Sequence, residues 1–110
     1  MTRFAPPPKS PNCVSSRADA ADRVHHIAPL SGADLAAVKA VVAGMPRTRI
    51  KEEADGYLHV IFTSGLFRFK DDVQFEQEGD VVHVRSASRV GFGDLGANRK
   101  RVEAIRLALG

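Results

Sequence analysis

The chain has 110 residues, of which 44% are hydrophobic and 26% charged, with no Trp, one Tyr and one Cys. That length fits one domain, able to bury roughly two thirds of its unfolded surface and needing no disulfide or metal staple. A single thiol excludes an internal disulfide, few aromatic rings leave little to stack single-stranded bases on, and a net charge of +3 is small for a nucleic-acid groove reader.

Residues 1–11 hold Pro6, Pro7, Pro8 and Pro11 and read as a mobile, extended arm ahead of a single domain over residues 12–110. No apolar run in the arm resembles a signal peptide, and no stretch reaches the length of a membrane span. The expected setting is a reducing cytoplasm. Residues 12–16, NCVSS, read as a turn or edge strand, residues 17–23 as loop, and residues 24–28 as a short strand.

The spacing then predicts a helix over residues 32–43. Ser31 is its expected N-cap, Asp34 sits at N3, and Leu30 and Leu35 are placed for a hydrophobic staple. Leu35, Val38, Val41 and Val42 recur at helical spacing. Gly44 supplies the residue after the helix and Pro46 forbids continuation.

Strands are predicted over 48–53, 57–64, 67–77 and 81–90, with turns at Asp55-Gly56 and Gly79-Asp80. Leu58, Val60 and Phe62 share one face of the second of these. Phe67, Phe69, Val73 and Phe75 share one parity in the third. In the last, Val82, Val84, Ser86 and Ser88 face one way, and His83, Arg85, Ala87 and Arg89 the other. A turn over 91–96 leads to a closing helix that ends at Leu109, with Val102, Ile105 and Leu109 as its buried stripe. Short turns make neighbouring strands antiparallel. The expected fold is α+β, a single antiparallel sheet of four to five strands with two helices packed on one face.

The basic character lies in the last quarter: residues 85–110 have a balance of +4, and the remainder −1. Ser86, Ser88 and Arg89 stand where the last strand meets the turn of Gly91 and Gly93, either as a site or with Arg89 paired to Asp94. Asn98, Arg99, Lys100 and Arg101 occupy the start of the closing helix, where cations oppose the helix dipole. Asp71, Asp72 or Asp94 offsets them from within, or an external anion does. Cys13 has four possible imidazole partners, His25, His26, His59 and His83, but no spacing ties any of them to it, so a packed thiol is expected. No Cys or His spacing forms a metal site, and GFGDLG lacks the following βαβ unit of a nucleotide fingerprint. No metal and no cofactor is therefore expected.

PNCVSS, DDVQF and VHVRSASRVGFGDLGANRKRVEAIR together resemble the bacterial family catalogued as domain of unknown function 1499, across nearly the whole chain from Pro11 onward. The resemblance places the family signature on Asn12, Cys13, Ser15, Ser16, Asp71, Asp72, Ser86, Ser88, Arg89, Gly91, Asp94, Gly96, Asn98, Arg99 and Arg101. Members often have Tyr and Ser where this chain has Phe92 and Gly93, which argues against an essential hydroxyl there. Many relatives carry a signal, lipoprotein or membrane segment; none is expected here, which argues against an envelope role.

These residues point to a small soluble domain that binds a small anionic or polar ligand. Its site is expected at the NCVSS segment (Asn12, Ser15, Ser16), the aspartate pair (Asp71, Asp72), the serine-arginine turn (Ser86, Ser88, Arg89, Asp94) and the helix start (Asn98, Arg99, Arg101). One rival is an enzyme with Cys13 as nucleophile and Arg89 or Arg99 stabilising negative charge. The other is a protein-interaction module whose signature residues only hold the fold. Neither nucleic acid nor a membrane span is an expected partner, and no pattern sets an oligomeric state.

Overall fold

A computed structural model describes residues 1–110. In chain order its elements are β1 (Cys13–Ser15), β2 (Leu30–Ser31), α1 (Leu35–Ala43), β3 (Thr48–Ala54), β4 (Tyr57–Thr63), β5 (Lys70–Glu78), β6 (Val81–Ser88) and α2 (Ala97–Leu109). The sheet runs β1-β6-β5-β4-β3, and β2 also pairs with β6. All strand pairs are antiparallel. The fold is thus α+β, with six strands rather than four or five. The extra strand arises because β6 offers one long edge: β1 takes Arg85 to Ala87 and the two residues of β2 take Val81 and Val82. No helix is long and apolar enough to cross a membrane.

The period-2 alternation sends one set of side chains under the helices. Leu58, Val60 and Phe62 of β4, Val73 and Phe75 of β5, and Val82 and Val84 of β6 join Val38 and Val42 of α1 and Val102 and Ile105 of α2 in one buried cluster. Each such side chain contributes about 1.5–3 kcal/mol on leaving water. At the far edge, β3 is almost wholly exposed. It carries Arg49, Lys51, Glu52 and Glu53 and a register shift between Ile50 and Glu52, charges and an irregularity that discourage pairing with another chain.

Four local expectations change. Ser31 pairs with Val81 in the sheet, so the cap of α1 falls to Asp34, whose carboxylate accepts from Ala37 N at 2.8 Å. Gly44 ends that helix at φ −85, not in the left-handed region, which Arg47 enters instead at φ 56. Residues 24–28 form no strand beyond a single bridge from His26 to Ser15, because Asp22 captures the N–H groups of Val24 and His25 with its carboxylate and that of His26 with its carbonyl. Phe67 and Phe69 leave the predicted strand. Ser64 closes the loop by accepting from Phe69 N at 2.9 Å, Arg68 turns to φ 58, and the two rings stack in solvent, centroids 5.5 Å apart.

The proline-rich arm, expected to be mobile, lies along the sheet face away from the helices. Glu76 of β5 accepts from Thr2 Oγ1, Arg3 N and Arg17 Nε at 2.6–2.9 Å. Arg85 donates to Ala5 O, and Arg3 stacks over Tyr57, 3.8 Å from its centroid. Phe4 is the hydrophobic anchor, only 7% exposed, with Arg17 over its ring. Two arm donors on Glu76 and the buried Phe4 ring dock the first residues of this segment on the sheet.

Phe4→Ala therefore costs about 1.5–3 kcal/mol, and Phe67→Ala, at an exposed ring, stays within about 0.5 kcal/mol. Thermal unfolding of both variants checks this, and an undocked arm would leave both unchanged.

Candidate functional site

Along the helix-facing side of β6 the residues change from Val82 and Val84 to Ser86 and Ser88. Polar side chains at these inward positions need partners, and α2 supplies them through Asn98, which is fully buried. Its Oδ1 accepts from Ser86 Oγ at 2.7 Å and Arg101 Nη1 at 2.9 Å. Its Nδ2 donates to Asn12 O at 3.1 Å, Ser88 Oγ at 2.9 Å and Asp94 Oδ2 at 2.7 Å. Two hydrogens meet three acceptors, so one hydrogen is shared. No buried side-chain polar atom lacks a partner.

Arg101 lies three residues further along α2 and so on the same face. It pairs with Asp71 at 2.8 Å, the two side chains being 15% and 12% exposed. It also donates to Ser86 Oγ at 3.1 Å and lies 4.8 Å over the Phe62 ring. Asp94 accepts from Gly96 N at 2.8 Å and Asn98 N at 3.2 Å. Burial pushes its carboxyl up, but the hydrogen bonds from Asn98 and Gly96 outweigh this and hold it below the usual carboxylate range. A carboxylate two residues ahead of the N-cap thus caps a helix whose N-cap residue, Gly96 at φ 79, makes no side-chain cap bond, and it offsets the cations that follow. Gly91, at φ 88 in the preceding turn, presents its carbonyl to Asn12 Nδ2 at 2.7 Å.

Of the twelve residues the sequence nominates for binding, the structure gathers seven on this side: Asn12, Asp71, Ser86, Ser88, Asp94, Asn98 and Arg101. The other five lie elsewhere. Asp71 and Asp72, adjacent in a strand, point to opposite faces, so they form no pair. Asp72 on the outer face binds Arg89 through two bonds at 2.8 and 3.0 Å and His59 at 2.8 Å. The Arg89 guanidinium first, and His59 with it, hold its carboxyl down to about 2. Arg89 is therefore partnered by Asp72, not Asp94. Ser16 Oγ bonds His83 Nδ1 and accepts from Val84 N, both at 2.8 Å, and Ser15 Oγ accepts from Arg17 N. Arg99 finds no carboxylate and donates to the carbonyls of Val24 and His26 at 3.2 and 3.0 Å. Cys13 is buried on the outer face, where burial raises its thiol above the usual range, and each of the four imidazoles bonds another group.

Beside the buried network, two hollows flank Arg101. One, of 540 Å³, has Asp71, Ser88, Asp94 and Arg101 as its polar lining and Phe69 and Val90 as its apolar walls. The other, of 310 Å³, is lined by Arg47, Lys100 and Arg101 with Thr63, Ser64 and Phe62, and has no acidic residue. They share Ser64, Ala97 and Arg101. Arg47, Ser64, Phe69 and Lys100 were not nominated by sequence. The break at Ser64-Gly65 marks a loop there, and an aromatic in that loop is the one signal that points to it.

The family model described as protein of unknown function (DUF1499) matches residues 3–109. The chain belongs to the DUF1499 family. The match begins inside the proline arm and takes in Arg3 and Phe4. No curated protein and no solved structure matches the chain.

Because Asp71 and Arg101 are mutually compensating, removing either alone strands a largely buried charge at a cost of about 3–5 kcal/mol. The Asp71→Ala/Arg101→Ala double variant costs clearly less than the sum of the two single changes. Arg99→Ala, which gives up two carbonyl contacts, costs about 1 kcal/mol. Denaturant unfolding of the four variants tests the assignment, and additive single effects would refute it.

Proposed function

We propose that this domain binds a small ligand carrying an anionic group and an apolar portion, in the two hollows that meet at Arg101. The observation that carries this reading is their opposite chemistry. The smaller hollow offers three cationic side chains and two hydroxyl-bearing residues with no carboxylate, which suits a phosphate or carboxylate. The larger adds the exposed ring of Phe69 and Val90, which suits a short apolar chain. Arg101 stands between them, fixed by Asp71, Asn98 and Ser86, and a pre-set guanidinium loses little freedom when it binds. Asn12, Ser86 and Asn98 act behind the lining, as positioning residues.

The enzyme reading finds less support. Nucleophilic catalysis needs a thiol or hydroxyl with a base in reach: Cys13 is buried on the other face without one, and Ser16, whose Oγ does bond His83 Nδ1 at 2.8 Å, is buried with that oxygen also taken by the Val84 N–H. The hollow formed by the arm is lined by Arg3, Arg17, Glu76 and Glu78, whose charges already pair with one another or with Glu52.

Thermal shift with hexyl phosphate, hexanoate and inorganic phosphate tests the proposal. A ligand at 100 times its Kd adds about 2.7 kcal/mol, several degrees for a domain of this size. Hexyl phosphate is expected to raise Tm more than inorganic phosphate. Lys100→Glu, at an exposed position, is expected to keep the ligand-free Tm and lose the shift. No shift with any probe, or the same shift in Lys100→Glu, overturns it.

A further inference from the structure

Six large apolar side chains stand exposed on two neighbouring loops: Leu66, Phe67 and Phe69 between β4 and β5, and Val90, Phe92 and Leu95 between β6 and α2. Their exposures run from 53% for Phe69 to 97% for Leu95. The loops adjoin, since Arg89 N donates to Lys70 O at 3.2 Å and both supply walls of the larger hollow. A monomer normally scatters such residues singly, and a cluster marks a contact surface. Two backbone features help to project these side chains. Arg68 at φ 58 separates the stacked Phe67 and Phe69, and Leu95 itself sits at φ 55, a region that non-glycine residues seldom adopt.

Cations ring these tips. Arg47, Arg68, Lys70, Arg89 and Lys100 are all exposed. The aspartates at this end are already engaged: Asp71 by Arg101, Asp72 by Arg89 and His59, Asp94 by the α2 N-terminus. With Arg89 already paired to Asp72, a second copy docked here would still set four exposed cations against four. A bilayer with anionic headgroups instead matches both features, taking protruding apolar side chains one by one into its interface while its surface charge attracts the collar.

We propose that this end of the molecule docks on an anionic lipid surface, with the two loop tips inserted into the interface and the basic collar against the headgroups. This surface borders the small-ligand site and shares Arg47, Phe69, Val90 and Lys100 with it, so the test uses only residues outside both hollows. Phe67, Phe92, Arg68 and Lys70 do not line either hollow, so the docking and ligand experiments fail independently.

Co-sedimentation with vesicles of 70:30 phosphatidylcholine and phosphatidylglycerol, compared with pure phosphatidylcholine, provides the test. Wild type is expected to bind the anionic vesicles and to be released by high salt. Phe67→Ser/Phe92→Ser is expected to lose at least about tenfold in partition coefficient, and Arg68→Gln/Lys70→Gln about fivefold per charge. The chain has no Trp, so Phe92→Trp adds a single fluorophore whose emission should shift to the blue on binding. All these positions are exposed, and unchanged Tm values confirm folding. Wild type that ignores both vesicles, or a Phe67→Ser/Phe92→Ser variant that binds as wild type does, overturns the proposal. So does concentration-dependent dimerisation abolished by the same double variant without vesicle binding, which would assign the patch to a second copy.

Discussion

The side-chain amide of Asn98 joins three parts of the chain at one point. Through it, β6, the start of α2 and the segment before β1 share one hydrogen-bonded core, with Ser86, Ser88, Asp94 and the Asn12 carbonyl as its partners. A buried amide left without partners costs several kcal/mol, so the geometry tolerates little drift: α2 must enter where its second residue reaches β6, and β1 must lie on the β6 edge. Arg101 is then held against Asp71. The network occupies the end of the helix-facing side, where the apolar cluster of β4, β5 and β6 gives out. Apolar packing sets which face is covered, and the polar network sets how far along the sheet the last helix begins.

The two faces of the sheet answer different demands. The helix side is apolar until its last inward positions and then polar. The other side carries charge throughout, in ion pairs such as Arg17 with Glu76 and Arg89 with Asp72, and the arm covers part of it. Arg3 of the arm covers the Tyr57 ring on that side, which explains how Tyr57 comes to be buried without belonging to the main cluster.

Much of this was legible in the sequence. The alternation in β4 and β6 gave the inward sets Leu58, Val60, Phe62 and Val82, Val84, Ser86, Ser88, and the stripe of Val102 and Ile105 gave the buried side of α2. The cations at the helix start demanded a counter-charge, and two of the three aspartates considered supply it, Asp71 as an ion pair and Asp94 as a cap. Other features depend on contacts distant in sequence. Ser31 reads as a cap until β6 takes it as a strand partner. The docking of Thr2 and Arg3 on Glu76 has no signal in the arm's own composition. Phe67 keeps strand parity, and only the closing bonds of Ser64 expel it. The opposed directions of Asp71 and Asp72, by contrast, follow from strand alternation alone and needed no coordinates.

The account rests on Asn98 being sealed and bonded in solution. Hydrogen exchange of its side-chain amide protons, followed by NMR, measures this directly. A side-chain amide bonded to Asn12 O, Ser88 and Asp94 inside the protein should exchange only when α2 leaves the sheet, orders of magnitude more slowly than a free asparagine and with protection close to that of the β6 backbone. Exchange at the rate of an exposed amide would contradict the account, because the junction of α2, β6 and β1 would then be open to water.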